Sequence, residues 1–132
     1  MADKDMQPVR EAWMFTQDDF NRFGDLSGDR NPIHTDPEFA SQTAFGSTVA
    51  HGMLLFSAVR ALIARTWPRA GLLAQDLMFQ APTYADEPLT LSLEPTGRDD
   101  AGNLIVVTRV QKPDGQLGLD GECVLHMEGG HE

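Results

Sequence analysis

Between residues 27 and 36 the chain reads Ser27-Gly28-Asp29-Arg30-Asn31-Pro32-Ile33-His34-Thr35-Asp36, its densest run of polar side chains. Asp29 and His34 pair a carboxylate with an imidazole across a turn tightened by Pro32. A short loop brings two such groups to one point at little closure cost, and together they can take and give protons near neutral pH. Asn31 can bond local backbone and hold the turn rigid. Spacing alone leaves a second role open, in which Asp29 caps an amide and His34 bonds a carbonyl.

A second feature, Ala50-His51-Gly52-Met53, heads the most apolar stretch of the chain. Gly52 permits close backbone approach, and unpaired N–H groups at a helix start stabilise a developing oxyanion. A helix entry in which Gly52 only relieves crowding fits the same residues. No ligand-spacing motif joins His34, Asp36 and His51, so no metal is expected. Cys123 alternates with apolar residues and reads as a core thiol, while Ser57 lacks a Gly-x-Ser-x-Gly context. His126 and His131 stand near the terminus and carry no assignment.

The elements that must position these groups follow from pattern. Trp13 to Phe15 suggest a short first strand, and Thr16 with Asp19 forms a capping box opening a helix through Phe20 and Phe23. Asp36-Pro37-Glu38 is a second helix start, with an N-cap acid and proline at the first position. From about His51 to Trp67 the chain is apolar nearly all round, which predicts a helix wrapped on most sides. Strand-like runs follow at Leu73 to Phe79, Leu89 to Pro95, Leu104 to Gln111 and Leu117 to Met127. The last three, at hairpin spacing, imply an antiparallel meander. One buried helix against a curled antiparallel sheet is an α+β arrangement. A single hot-dog fold, in which such a sheet wraps a central helix, fits the order of elements.

At 132 residues the chain suits one domain, with its core at about 11–127, and needs neither disulfide nor structural metal. A formal charge of -10 argues against a nucleic-acid face. It also means that an anionic ligand must be held by local groups. The one cysteine excludes an internal disulfide and fits a reducing compartment. No signal-like segment opens the chain and no stretch is long enough to span a membrane, so a cytoplasmic protein is expected. Residues 129–132 read as a frayed end.

The run Leu26-Ser27-Gly28-Asp29-Arg30-Asn31-Pro32-Ile33-His34, then Asp36-Pro37-Glu38-Phe39-Ala40, Phe45-Gly46 and His51-Gly52-Met53-Leu54, closely resembles the (R)-specific enoyl-CoA hydratases, members of the MaoC-like dehydratase group of the hot-dog superfamily. The likeness continues through Leu77-Met78-Phe79-Gln80-Ala81-Pro82 and spans about Thr16 to Leu125. It implies reversible hydration of a 2-enoyl thioester to an (R)-3-hydroxyacyl thioester, without a cofactor. Asp29 falls on the family's catalytic aspartate, the base toward water, and His34 on its catalytic histidine, the acid toward the α-carbon. Asn31 falls on the asparagine that shapes the site, and the Gly52 N–H where the thioester oxygen binds. His51, Met53, Phe56 and Arg60 fall beside the substrate. Asp86-Glu87-Pro88 stands where the family often has Gly-Asp in a turn, away from the motif residues.

Arg60 departs more sharply, because the neighbouring helix positions usually line the acyl pocket with small or apolar side chains. Helical spacing puts Met53, Phe56, Arg60 and Ile63 near one face. A guanidinium there excludes long alkyl chains or pairs with an anionic tail, unless it turns to a helix edge and meets an acid. The unpaired edge of a single sheet, together with the resemblance, leads us to expect a homodimer. Two other functions fit the fold: a thioesterase, disfavoured because Gly52 to Trp67 carries no carboxylate, and a non-catalytic acyl-thioester-binding subunit, disfavoured by intact Asp29 and His34. The acyl carrier, CoA or a carrier protein, stays open.

Overall fold

The computed structural model describes residues 3–128; the expected frayed end at 129–132, with His131, lies outside them. Five strands form one antiparallel sheet in the order β1-β3-β4-β5-β2, open at both edges. They are β1 (Val9–Trp13), β2 (Ala70–Met78), β3 (Leu89–Arg98), β4 (Leu104–Gln111) and β5 (Leu117–Met127). The meander runs through β3, β4 and β5, and the two remaining strands flank it, β1 beside β3 and β2 beside β5. A 3-10 turn at Lys4–Met6 and four α-helices precede the meander: α1 (Gln17–Ser27), α2 (Pro32–Thr35), α3 (Pro37–Ser41) and α4 (Gly52–Thr66).

Strand patterning explains the core. β3 and β4 alternate buried Leu89, Leu91, Leu93 and Leu104, Val106, Thr108, Val110 with outward residues. Against this face α4 presses Leu55, Ala58, Val59, Leu62 and Ile63. The arrangement is the expected α+β hot-dog, with one correction to the helix. Met53, Ser57, Ala61 and Ala64 are exposed, because a sheet open at both edges covers α4 on one side only. Met53, Phe56, Arg60 and Ile63 consequently do not share one environment. Met53 is exposed, Phe56 and Arg60 are half-buried, and Ile63 is buried.

The first strand lies earlier than Trp13 to Phe15. Glu11, on the half-buried side of β1, pairs with Arg65 at the end of α4 and dilutes the apolar signal of the strand. Phe15 has already left the sheet, and its carbonyl accepts from the Asp86 N–H. The capping box forms as read: Thr16 Oγ1 accepts from the Asp19 N–H, and Asp19 Oδ2 from the Thr16 N–H. Gly28, at φ 83°, closes α1 in the left-handed conformation that glycine adopts without strain.

Candidate active site

Asp29 follows the Gly28 cap directly, so the end of α1 fixes where its carboxylate begins. Asn31 then caps α2, its Oδ1 accepting from the Ile33 N–H at 3.1 Å, and Pro32 occupies the first helical position. The expected turn is thus one short helical turn, and His34 sits on it. Asp36 ends α2 and starts α3, its Oδ1 accepting from the Glu38 and Phe39 N–H groups.

His34 is held from three sides. Its Nδ1 lies 2.8 Å from the Val49 carbonyl, which can only accept, so Nδ1 carries a proton. The Val49 N–H donates back to the Ile33 carbonyl, and Gln17 on α1 donates to the His34 carbonyl at 2.9 Å. Gln17, Thr48 and Val49 form this cradle, Thr48 donating to Gln17 Oε1. None of the three carries a sequence signal: one is a backbone carbonyl, and the others gain a role only through contacts between distant segments.

In neutral His34 this leaves Nε2 as a lone-pair acceptor, 3.8 Å from Asp29 Oδ2. Two acceptors at that distance do not bond each other, but each can accept a proton of one water at about 2.8 Å. The His34 side chain is 16% exposed and that of Asp29 56% exposed, so the pair opens outward from a half-buried imidazole.

His51 lies beneath them, 3% exposed. Its Nε2–H donates to the Asp29 carbonyl at 2.9 Å, and its ring stacks on that of His34 at 3.9 Å between centroids and 25°. Phe23 meets His51 edge-on at 4.9 Å. Burial, above all, lowers the His51 pKa from 6.5, and the His34 charge adds to that. The ring is thus a neutral support under the pair rather than a surface facing outward. Asp29, His34 and His51 bring one donor atom each within 4.8 Å of one another. His51 Nε2 holds a proton bonded to a carbonyl, and stacked rings aim their in-plane lone pairs alongside one another, so the set converges poorly on an ion.

Gly52 is the first residue of α4, where the N–H has no partner within the helix. A Cβ at Gly52 would meet the Phe79 ring at 2.8 Å, so the contact requires glycine. Gly52 and Phe79 line a cleft with Phe45, Val49, Leu55 and Pro82. Because His51 joins Gly52 to the stacked His34, the helix start and the acid–base pair converge. Met53 is exposed next to them, Phe56 is half-buried one turn on, and Arg60 stands half-buried beyond it. Cys123 is fully buried, as its alternation implied.

Residues 3–115 match the family described as MaoC like domain. The chain belongs to that family. It is 35% identical over 124 residues to the (R)-specific enoyl-CoA hydratase of Aeromonas caviae, covering 92% of each chain. The solved structure titled (R)-hydratase from A. caviae superposes with a TM-score of 0.86 at 32% identity, over 92% of this chain and 94% of that one. A mitochondrial 3-hydroxyacyl-[acyl-carrier-protein] dehydratase of Arabidopsis thaliana is 37% identical over 84 residues, 63% of this chain and 51% of that protein. No helix among the described residues is long and apolar enough to cross a membrane.

Proposed function

We propose that this MaoC-like protein is a hydro-lyase that reversibly hydrates a 2-enoyl thioester, carried on CoA or an acyl-carrier protein, to the (R)-3-hydroxyacyl thioester. The observation that carries the reading is the 3.8 Å separation of Asp29 Oδ2 and His34 Nε2, close enough for one water to bridge them.

In the hydration direction the thioester oxygen accepts from the Gly52 N–H. The β-carbon is then electrophilic, and negative charge gathers on that oxygen as the enolate forms. Water attacks the β-carbon and gives one proton to the Asp29 carboxylate. The reactive form is the one in which His34 carries a proton on both nitrogens, so that Nε2–H donates to the water oxygen while Asp29 accepts from it; as the enolate collapses, that Nε2 proton goes to the α-carbon. The neutral ring keeps its Nδ1 proton on the Val49 carbonyl. Return of the Asp29 proton to His34 across the water gap resets the pair, and the net change is one water added. The thioester itself acidifies the α-proton, so the step calls on no cofactor. Asn31 holds the turn, His51 braces both catalytic residues from below, and Met53 and Phe56 flank the acyl chain. A thioesterase reading lacks its carboxylate, since no Asp or Glu occurs in α4.

We further read the working unit as a homodimer. The β2 edge is unpaired, and Leu73, Met78 and Phe79 on or beside it are exposed, as is Met53 on the open side of α4. A second copy would cover this surface and help close a site whose aspartate is otherwise open to bulk water.

Loss of the enoyl absorbance of crotonyl-CoA, with chiral analysis of the product, tests the reaction. An inert protein, or an (S)-product, overturns it.

A further inference from the structure

Lys112, one residue beyond β4, is 7% exposed, and no other lysine or arginine among the described residues is buried. Its backbone is fixed in the turn between β4 and β5, where its N–H donates to the Gln116 carbonyl at 2.8 Å. A lysine is buried at little cost only where its three N–H donors find partners. Here those partners are the Pro82 carbonyl, Glu87 Oε2 at 3.6 Å and the face of the Tyr84 ring, 4.9 Å from its centroid. Glu87 also accepts the Tyr84 N–H on Oε1 at 3.1 Å, so one carboxylate ties the ammonium to this backbone. Pro82, Tyr84 and Glu87 are half-buried in the same chain, and the set is complete without a second copy.

All three partners lie in residues 79–88, which join β2 to β3 with no regular structure beyond one isolated bridge. Pro82 and Pro88 remove two N–H donors from this segment, which therefore leans on outside partners. Its other side meets the site. The Thr83 carbonyl accepts from the Ala50 N–H at 2.7 Å, and Tyr84 bridges Val49. The Val49 carbonyl is the acceptor that keeps a proton on His34 Nδ1. Phe79, at the start of the segment, presses on the bare Cα of Gly52, and Pro82 and Thr83 line the same cleft as Gly52. Residues 49–52 thus carry the His34 acceptor and the Gly52 N–H on one stretch of backbone, and residues 79–84 back that stretch.

Resting on the hydration reading, we propose that Lys112 is a positioning residue for the reaction. With Glu87 as its counter-charge, it fixes the segment that sets both the Val49 carbonyl behind His34 and the Gly52 N–H. Lys112 acts through Pro82 and Tyr84 and touches neither substrate nor water. The α-carbon must receive its proton while the thioester oxygen is held, so the acid and the oxyanion donor must keep a fixed separation. A backing segment without regular structure lets that separation drift. A desolvated ammonium with a charge-assisted bond to Pro82 stiffens it. The Asp86-Glu87-Pro88 turn, away from the motif residues in sequence, reaches the site by this route.

The test measures crotonyl-CoA hydration in the parent, Lys112→Met, Lys112→Arg, and Lys112→Met combined with Glu87→Gln, which avoids leaving an unpaired carboxylate. In Lys112→Met and the double variant kcat should fall about 10- to 100-fold, with KM within about threefold of the parent. Lys112→Arg should recover part of the loss. Proton NMR of the imidazole groups gives a readout that needs no turnover. The His34 Nδ1–H signal, assigned by its loss in His34→Gln, should broaden in Lys112→Met and sharpen again in Lys112→Arg. Leu91→Val, a core change on β3 that lowers the melting temperature, should leave kcat and the His34 signal close to the parent. A kcat within about threefold of the parent in the folded double variant overturns the role of Lys112 and leaves hydration standing. An equal loss in Leu91→Val does the same, since it would trace the effect to stability alone. A parent inert toward crotonyl-CoA defeats the hydration reading itself, and an unchanged His34 signal in Lys112→Met would then overturn the tie as well.

Discussion

In the proposed reaction Asp29 and His34 share one water, and each residue therefore depends on the other. Without the carboxylate, nothing accepts the water's proton, and without the imidazole, nothing returns it to carbon. Asp29→Asn and His34→Gln should each lower crotonyl-CoA hydration at least about a hundredfold, with circular dichroism and melting temperature close to the parent. A folded variant within a few-fold of the parent would remove that residue from the chemistry. His51 makes a different demand, because it is buried as a neutral ring with its pKa lowered from 6.5. Unfolding releases it to bind a proton, so below pH 6.5 the unfolded chain holds more protons than the folded one. Stability therefore falls as pH drops from 6.5 toward the lowered folded value, and this contribution is constant above 6.5. In thermal melts from pH 7.5 to 5, His51→Gln should show a shallower acid-side loss than the parent. Parallel curves would mean that His51 does not govern that slope.

The start of α4 ties these residues to a distant strand. Phe79, just beyond β2, lies against the bare Cα of Gly52, so the proposed oxyanion donor is set by a contact between two elements. Gly52→Ala forces a methyl group into that ring. Overpacking of this kind costs about 1–3 kcal/mol, which should appear as a lower melting temperature together with reduced hydration. Phe79→Leu in the same chain should recover part of both, and a failure to recover either would place the defect in the helix start alone. Elements of this type were legible to differing degrees. The boundaries of β4 and β5 follow from alternation between turn-rich runs, and the caps at Thr16 and Asp36 from local chemistry, because each is encoded within a few residues. Asp29, His34, Asn31 and Gly52 stand in two compact motifs, which is why a sequence reading can propose them. The cradle of Gln17 and Val49, the support from His51 and the Phe79 contact were not legible. They join segments 15 to 27 residues apart in sequence, and no local pattern records such a meeting. The placement of β1 was hidden for another reason, since Glu11 on its inner side answers to Arg65 rather than to a hydrophobic rule.

At the scale of the whole molecule, the open sheet and the exposed side of α4 set the expected assembly. Light scattering should report twice the 14.5 kDa of the chain. Leu73→Glu with Met78→Lys, on the β2 edge, should give a monomer with lost hydration. A fully active monomer from the parent would end the dimer reading. The strand order carries a further consequence, for the making of the protein. Both flanking strands pair with partners synthesised much later: Val9 with Leu93, and Leu72 with Leu125. As the chain leaves the ribosome, α1 to α4 and two unpaired strands emerge before any of the meander exists to receive them. The apolar face of α4 must therefore wait, uncovered, until the meander has been made. Assembly is governed by contacts distant in sequence, which favours slow folding and exposure to chaperones on the way. Among the described strands β5 is made last and closes the sheet by slotting between β4 and β2, so the core is complete only once β5 is free of the ribosome.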